Sequence, residues 1–328
     1  MWCSPTEVKG GSIVPAIGRH LSPPGTSGPP PAVSKTGSMT PLDLVNLTQL
    51  MAVTSGAPEI VIGLIDGPVA LNHPALSRQN VREIPGRVAG SCTQATSSAC
   101  IHGTLVAGIL SARRDSPAPA ICPACTLLVR PIFRESVSGQ MASAAPDELA
   151  AAILDCIDAG ARVINLSIAF SESRLGEAHL QQALDHAAKH GVIVVAAAGN
   201  QGSVGSSVIS AHPGVVPVAA YSLRGIPLSL SNLGRSIGLR GIGAPGEAIL
   251  SIGAGGAPLT FGGTSAAAAF VTGAIALLWS EFASASAAGV RSAVSGSSRP
   301  RRTTIVPPLL NAWAAFQGMT SAYGGRTN

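Results

Sequence analysis

Aromatic residues are scarce in this chain of 328 residues, at 3%. Single-stranded nucleic acid is held by aromatic platforms beside a basic groove, so no nucleic-acid partner is expected. Charge is scarce too: 11% of residues are charged while 46% are apolar. A chain with that balance has a sizeable core to bury and a weakly charged surface, which excludes disorder in its body. Much of the formal net charge of +5 sits at Arg299, Arg301 and Arg302 and in the N-terminal tail. No apolar run reaches the roughly 20 residues of a membrane span. The best candidate, Ala266 to Trp279, contains Thr272 and Gly273 and reads as a buried central helix, so no membrane partner is expected. The N-terminus lacks the basic start, apolar stretch and small-residue cleavage site of an export signal. A cytoplasmic protein is the expectation.

Cysteine is also sparse, with six in all: Cys3, Cys92, Cys100, Cys122, Cys125 and Cys156. In a large chain without an export signal these read as free thiols or a local bridge, not a disulfide framework. Cys122-Pro123-Ala124-Cys125 has redox-motif spacing, but no thioredoxin-like pattern surrounds it. Cys92 and Cys100 flank a loop just before His102. A bridge, or a zinc site of four thiolates with Cys122 and Cys125, would steady that loop, although the first spacing is long for structural zinc. Cys156 reads as a core residue on a helix. No metal and no other cofactor are expected.

Residues 1–38 are rich in Pro, Gly and Ser and read as a disordered tail, with Met39 a candidate for the true start. Residues 39–318 read as one domain, and 319–328 as a flexible C-terminal tail. Apolar spacing from Pro41 to Val53 suits a helix. Residues 59–66 form an apolar run ending in Asp66, and a run without alternation points to a parallel sheet covered on both faces. Strands follow near 127–133, 162–168, 192–198, 215–220 and 248–252. Helices are expected near 146–159, 178–190, after Ser265, at 287–294 and at 308–316, with a basic turn at Arg299–Arg302. This order gives an α/β fold: a doubly wound, mostly parallel sheet with helices on both faces. Ligands of such sheets sit beyond the carboxyl ends of the strands, where Asp66 and Asn200 fall.

The chain turns on the stretch from Phe261 to Val271. Two glycines, a Thr-Ser pair and an apolar helix place the Ser265 hydroxyl at a helix N-terminus, where the macrodipole favours negative charge. Asp66 ends a strand and precedes Gly67-Pro68. His102 opens an apolar helix in Ile101-His102-Gly103-Thr104. Asn200 closes Ala197-Ala198-Gly199-Asn200 just past a strand. Each alone has a structural reading: a cap, a strand-end carboxylate, a satisfied core histidine, a turn residue. Together they supply what acyl transfer needs. A serine is a weak nucleophile until an imidazole takes its proton. The imidazole needs a carboxylate to set its tautomer. The tetrahedral intermediate needs donors aimed at its oxygen, which the Asn200 amide and the Ser265 N–H could supply. His186 and His190 are spaced like metal ligands but read as a solvated helix face, and His73 as a turn residue.

The order Asp, His, Ser along the chain, with Ile-Asp-Gly, His-Gly-Thr, Ala-Ala-Gly-Asn and Gly-Thr-Ser around the four residues, resembles the subtilisin-like serine proteases, the subtilase family. The resemblance covers roughly residues 58–282. Asp66-Gly67-Pro68-Val69 with Asn72-His73-Pro74 is similar in particular to protease domains of cyanobactin-maturation enzymes of the PatA/PatG type. It implies Ser265 as nucleophile, His102 as base, Asp66 as its orienter and Asn200 as oxyanion donor. It also implies Ser167, Ile168 and Ala169 as the edge that pairs with substrate backbone, and Ala197, Ala198 and Gly199 as a pocket wall. The implied partner is a peptide, such as a ribosomally made precursor. Alternatives are a transpeptidase or macrocyclase on the same triad, or a pseudoprotease that only binds peptide. Two departures stand out. Ser265-Ala266-Ala267-Ala268-Ala269 replaces the family's Ser-Met-Ala-x-Pro, and Leu105 replaces a second histidine. Both change packing rather than chemistry. The helix after His102 lacks the loop that often holds calcium in relatives, so no strong calcium dependence is expected.

Overall fold

The computed structural model describes residues 13–15, 39–77, 79–135, 143–170, 177–296 and 303–324. In chain order the first half contains β1 (Ile13–Pro15), α1 (Pro41–Leu44), α2 (Leu47–Val53), β2 (Val61–Ile65), β3 (Val81–Glu83), α3 (Ser98–Ser111), β4 (Thr126–Val129), α4 (Pro146–Asp158), β5 (Val163–Leu166) and β6 (Ile168–Phe170). The second half contains α5 (Glu177–Lys189), β7 (Ile193–Ala197), α6 (Val208–Ala211), β8 (Val215–Tyr221), α7 (Arg235–Arg240), β9 (Ile242–Pro245), β10 (Ile249–Ser251), β11 (Leu259–Phe261), α8 (Thr264–Glu281), α9 (Ala287–Ser295) and α10 (Ala312–Tyr323).

Seven strands lie parallel in the order β3-β4-β2-β5-β7-β8-β9. Side chains of a strand alternate between faces, and here both faces are apolar. Ile62, Leu64, Val163 and Val195 join α3 and α8 on one side. Ile65, Ile164, Leu166 and Val194 join α4 and α5 on the other. That is why these strands carry no polar alternation. The expected doubly wound α/β sheet is therefore present. From β2 the chain moves outward to β3 and β4 on one side and to β5 and beyond on the other. Asp66 and Asn200 follow the carboxyl ends of β2 and β7, beside that reversal.

Helix α8 is the central support. It is long and apolar enough to cross a bilayer by length and composition, yet 89% of it is buried within the fold. Thr272 anchors it to the sheet: its hydroxyl donates to Asn165 Oδ1 of β5 at 2.9 Å. The Asn165 amide donates in turn to Ser167 Oγ at 2.8 Å. A paired buried amide of this kind fixes the helix's register on the sheet, since leaving it unmade costs about 1–3 kcal/mol.

Several elements differ from the sequence reading. The helix expected over 41–53 is two helices, broken at Asn46 with φ 53°, a left-handed turn that asparagine tolerates. Strands β3 and β9 were not anticipated. The strand expected near 248–252 is β10, which pairs antiparallel with β11 outside the main sheet. The last helix starts at Ala312, because Asn311 caps it by accepting from the Ala314 N–H at 2.9 Å. It then runs through Tyr323 with Met319 buried, so the domain passes the boundary at 318 and residues 319–323 are not a flexible tail. At the other end, Ile13–Pro15 of the supposed disordered tail form strand β1 on β6. The rest of 1–38, the turn at Arg299–Arg302 and residues 325–328 lie outside the described residues.

Candidate active site

Asp66 emerges from β2 fully buried, and its Oδ1 takes two donors: the Gly67 N–H at 2.6 Å and His102 Nδ1 at 2.7 Å. An ionised carboxylate only accepts, so Nδ1 carries the hydrogen and Nε2 is left as the lone-pair nitrogen. That is the tautomer a general base needs. Nε2 is buried without a hydrogen-bond partner among the described residues. The ring stands edge-on to Phe261, centroids 6.3 Å apart, which brings helix α3 against the lead-in to α8.

Gly103 lets α3 approach this closely. A Cβ on Gly103 would lie 2.4 Å from the Gly67 carbonyl oxygen and 2.5 Å from that of Pro68. Both obstacles are backbone and cannot swing aside. Gly103→Ala is therefore expected to push α3 off the end of β2, at a cost of about 1–3 kcal/mol for overpacking. It should also cost up to about 10⁴-fold in rate as the imidazole loses its orienting carboxylate. Thermal melts and kcat/KM of the variant check both.

The loop behind His102 is crosslinked. Cys92 and Cys100 form a disulfide, and Cys100 is in the first turn of α3. The Cys92 N–H donates to the Val69 carbonyl at 3.0 Å and the Ala70 N–H to Thr104 Oγ1 at 3.0 Å. The segment after Asp66 is thus tied to the helix bearing His102 directly by one hydrogen bond and indirectly through Cys92, which is hydrogen-bonded to the segment and disulfide-bonded to the helix. The four-thiolate zinc idea fails, because two of its sulfurs are in this bond and Cys122 and Cys125 are free thiols elsewhere. Breaking the disulfide should destabilise the fold by about 2–3 kcal/mol in the chain-entropy account of a short loop and lower kcat/KM. Melting and assay with and without dithiothreitol test this against a Cys92→Ser/Cys100→Ser control, which the reductant should not change.

Ser265 is the second residue of α8 and wholly buried. Its Oγ donates to the Ser167 carbonyl at 3.4 Å, and the hydrogen bond to His102 Nε2 is not made in this conformation. The first turn of a helix aims N–H groups outward without intrahelical acceptors, so α8 directs its positive end at this point. Gly263 before it has φ 106°, a region side chains avoid.

Asn200 is oriented by Thr264. Asn200 Oδ1 accepts from the Thr264 N–H and from Thr264 Oγ1, both at 3.0 Å. A backbone N–H only donates, so the amide's oxygen end is settled and Nδ2 is its donor end. Nδ2 lies against Gly263, where a Cβ would come within 2.7 Å. Thr264 Oγ1 also accepts the Gly199 N–H at 3.2 Å, pinning the pocket-wall backbone to α8.

Of the remaining sequence-derived residues, Ser167 and Ile168 are buried at the start of β6 and Ala169 lies within it. Ala197 ends β7, and Ala198 and Gly199 continue from it. Asn232 was missed. Its Nδ2 donates to the Ala198 carbonyl at 3.1 Å and its Oδ1 accepts from the Gln201 and Ser203 N–H groups at 3.0 and 3.1 Å, so it shapes the loop after Asn200. Nothing in its local sequence signals this, since the contact spans about thirty residues. His73 Nδ1 accepts the Ala75 N–H at 3.1 Å, a turn role. His186 and His190 stack on one another at 4.0 Å. Burial pushes the Cys156 thiol up to about 12, which leaves it inert.

The family model for the subtilase family matches residues 57–318. Fervidolysin from Fervidobacterium pennivorans is 31% identical over 74% of this chain and 38% of its own length. A subtilisin from Bacillus sp. (strain TA39) is 32% identical over 73% and 60% respectively. The chain thus spans roughly two fifths to three fifths of the length of these two relatives. Among solved structures, a mutant of the protease domain of PatA superposes with a TM-score of 0.72 at 30% identity, covering 81% of this chain and 97% of that one. The prenylagaramide maturation protease PagA does so at 0.72 and 30%, covering 84% and 98%. With its parallel sheet, its ordered Asp, His, Asn and Ser motifs and a family match over most of its length, this chain belongs to the subtilase family.

Proposed function

We propose that the protein is a serine endopeptidase. The observation that carries this reading is the buried 2.7 Å contact of His102 Nδ1 with Asp66 Oδ1, set beside a serine at the positive end of α8. In the first step Ser265 Oγ leaves the Ser167 carbonyl, gives its proton to His102 Nε2 and attacks the substrate carbonyl. Asp66 stabilises the imidazolium that forms. The oxyanion is met by the Asn200 amide and the Ser265 backbone N–H. Thr264 holds the Asn200 amide in place before the reaction, so no reorganisation is needed as charge develops. The imidazolium then protonates the leaving amine, and water releases the acyl group by the reverse sequence.

The substrate adds as a strand to β6, with Ala197, Ala198 and Gly199 walling the pocket before the cut. The narrower reading is maturation of a ribosomally made precursor peptide. It is supported by similarity to the prenylagaramide maturation protease PagA and the patellamide maturation protease PatA. The PatG macrocyclase, at 23–24% identity, supports the fold alone. A random peptide library incubated with wild type and with Ser265→Ala, read by mass spectrometry, tests the proposal. Linear fragments from wild type alone are expected. An unchanged library in both samples contradicts it, and products lighter by one water would mark transpeptidation instead.

A further inference from the structure

Beside the Cys92–Cys100 disulfide lies a carboxylate that the catalytic reading does not use. The two sulfurs and a carboxylate oxygen of Glu135 all lie within 4.8 Å of one another. Glu135 is held in that position by the cysteine loop itself. Its oxygens accept from the Thr93 N–H at 3.0 and 3.1 Å and from the Gln94 N–H at 2.9 Å, and from the Thr93 hydroxyl. Donors of this kind fix the orientation of a carboxylate before any cation arrives, which is the part outer partners play at metal sites.

The three residues converge from separate parts of the chain. Cys100 is buried in the first turn of α3, and Cys92 and Glu135 are half-buried, so the cluster has a rigid side and a side open to solvent. The spacing of the cysteines is long for a site read from sequence, but the fold closes it: their Cα atoms are 5.6 Å apart. The cluster also adjoins both catalytic partners. Cys100 precedes His102 on the same helix. The Ile132 N–H, on the segment that leads to Glu135, donates to the Asp66 carbonyl at 2.9 Å.

We propose that Cys92, Cys100 and Glu135 bind one zinc ion when the disulfide is reduced. The S–S bond takes two electrons from a thiol or phosphine reductant and, with two protons, becomes two thiols. Zinc then displaces both protons and binds the thiolates. Zinc holds thiolate at about 2.3 Å and carboxylate at about 2.0–2.2 Å in a tetrahedron, which sets neighbouring ligand atoms roughly 3.5–3.8 Å apart. Atoms already within 4.8 Å of one another need only small side-chain movements to reach that geometry. Water completes the fourth position. Two thiolates and a carboxylate repel one another at this range, and a divalent cation offsets that repulsion. The thiolates select zinc over magnesium or calcium. Disulfide and zinc are then alternative crosslinks of one loop, so the segment behind the catalytic base stays tied in either redox state.

The test uses the full chain, reduced with a phosphine, freed of reductant and titrated with zinc against a chromogenic chelator. Reduced wild type is expected to bind one zinc per chain more than the oxidised protein. Zinc should raise the Tm of the reduced protein toward that of the oxidised one, because a ligand bound only by the folded state stabilises it, and magnesium should leave it unchanged. Glu135→Gln keeps an acceptor for the Thr93 and Gln94 N–H groups but loses the charged ligand. It should weaken zinc by at least about 10-fold, the lower end of what losing even an outer partner costs. Equal zinc in reduced and oxidised protein, or in reduced wild type and reduced Cys92→Ser/Cys100→Ser, overturns the proposal. So does a Glu135→Gln variant that binds as tightly as wild type. None of these readouts involves peptide hydrolysis, so the endopeptidase reading stands or falls separately.

Discussion

Ser265→Ala is expected to lower kcat by about 10⁶-fold while the protein folds as before. The magnitude is the one measured for the nucleophile of a subtilisin, a member of the same family. The physical reason is local. This hydroxyl lies at the positive end of α8, with the Ser167 carbonyl at 3.4 Å holding it in place. Removing one oxygen from a fully buried side chain trades a weak hydrogen bond for a slightly smaller residue, so stability should change by no more than about 1 kcal/mol. His102→Ala is expected to cost a similar factor, and the double variant no more than either single one, because the two groups act as a unit. Asp66→Asn should cost about 10⁴-fold. An amide at that position can offer Nδ1 a donor in place of an acceptor, turning the imidazole to the wrong tautomer. Single-turnover rates of the three variants, with melts as a folding control, check the order.

Asn200→Ala should lower kcat by about 10²–10³-fold with little change in KM. That range, too, comes from a subtilisin, from removal of its oxyanion asparagine. An effect on kcat alone is the signature of a donor used only once the carbonyl oxygen has become an anion. The geometry adds a companion result. Thr264 supplies both hydrogen bonds to Asn200 Oδ1, and the one from its hydroxyl is lost in Thr264→Val while the backbone N–H remains. A partial loss, smaller than that of Asn200→Ala, is the expected outcome. Steady-state kinetics on one peptide substrate, separating kcat from KM, measures both. A rise in KM with kcat unchanged would place Asn200 in substrate binding instead.

Much of this arrangement was legible because it is local in sequence. Apolar runs covered on both faces announce parallel strands, and Asp66 and Asn200 are conspicuous as polar residues ending such runs. The Gly-Thr-Ser start of α8 is a helix N-terminus written in consecutive letters. What escaped was non-local or short. Strand β9 reads Ile-Gly-Ala-Pro, too brief and too interrupted for a periodic signal, and is a strand only because β8 pairs with it. Asn232 serves the loop after Asn200 from about thirty residues away. The Cys92–Cys100 bond was one of two alternatives, and its partners follow from three-dimensional proximity. Strand β1 sits in a segment whose composition argues for disorder, and its order comes from the waiting edge of β6.

The central claim is that His102 activates Ser265. Its most direct measurement is labelling with a fluorophosphonate, followed by peptide mapping, in wild type and His102→Ala. The account predicts one label per chain, on Ser265, in wild type and a labelling rate reduced by orders of magnitude without the imidazole. Equal labelling of Ser265 in both proteins, or a folded wild type that takes no label, would contradict it.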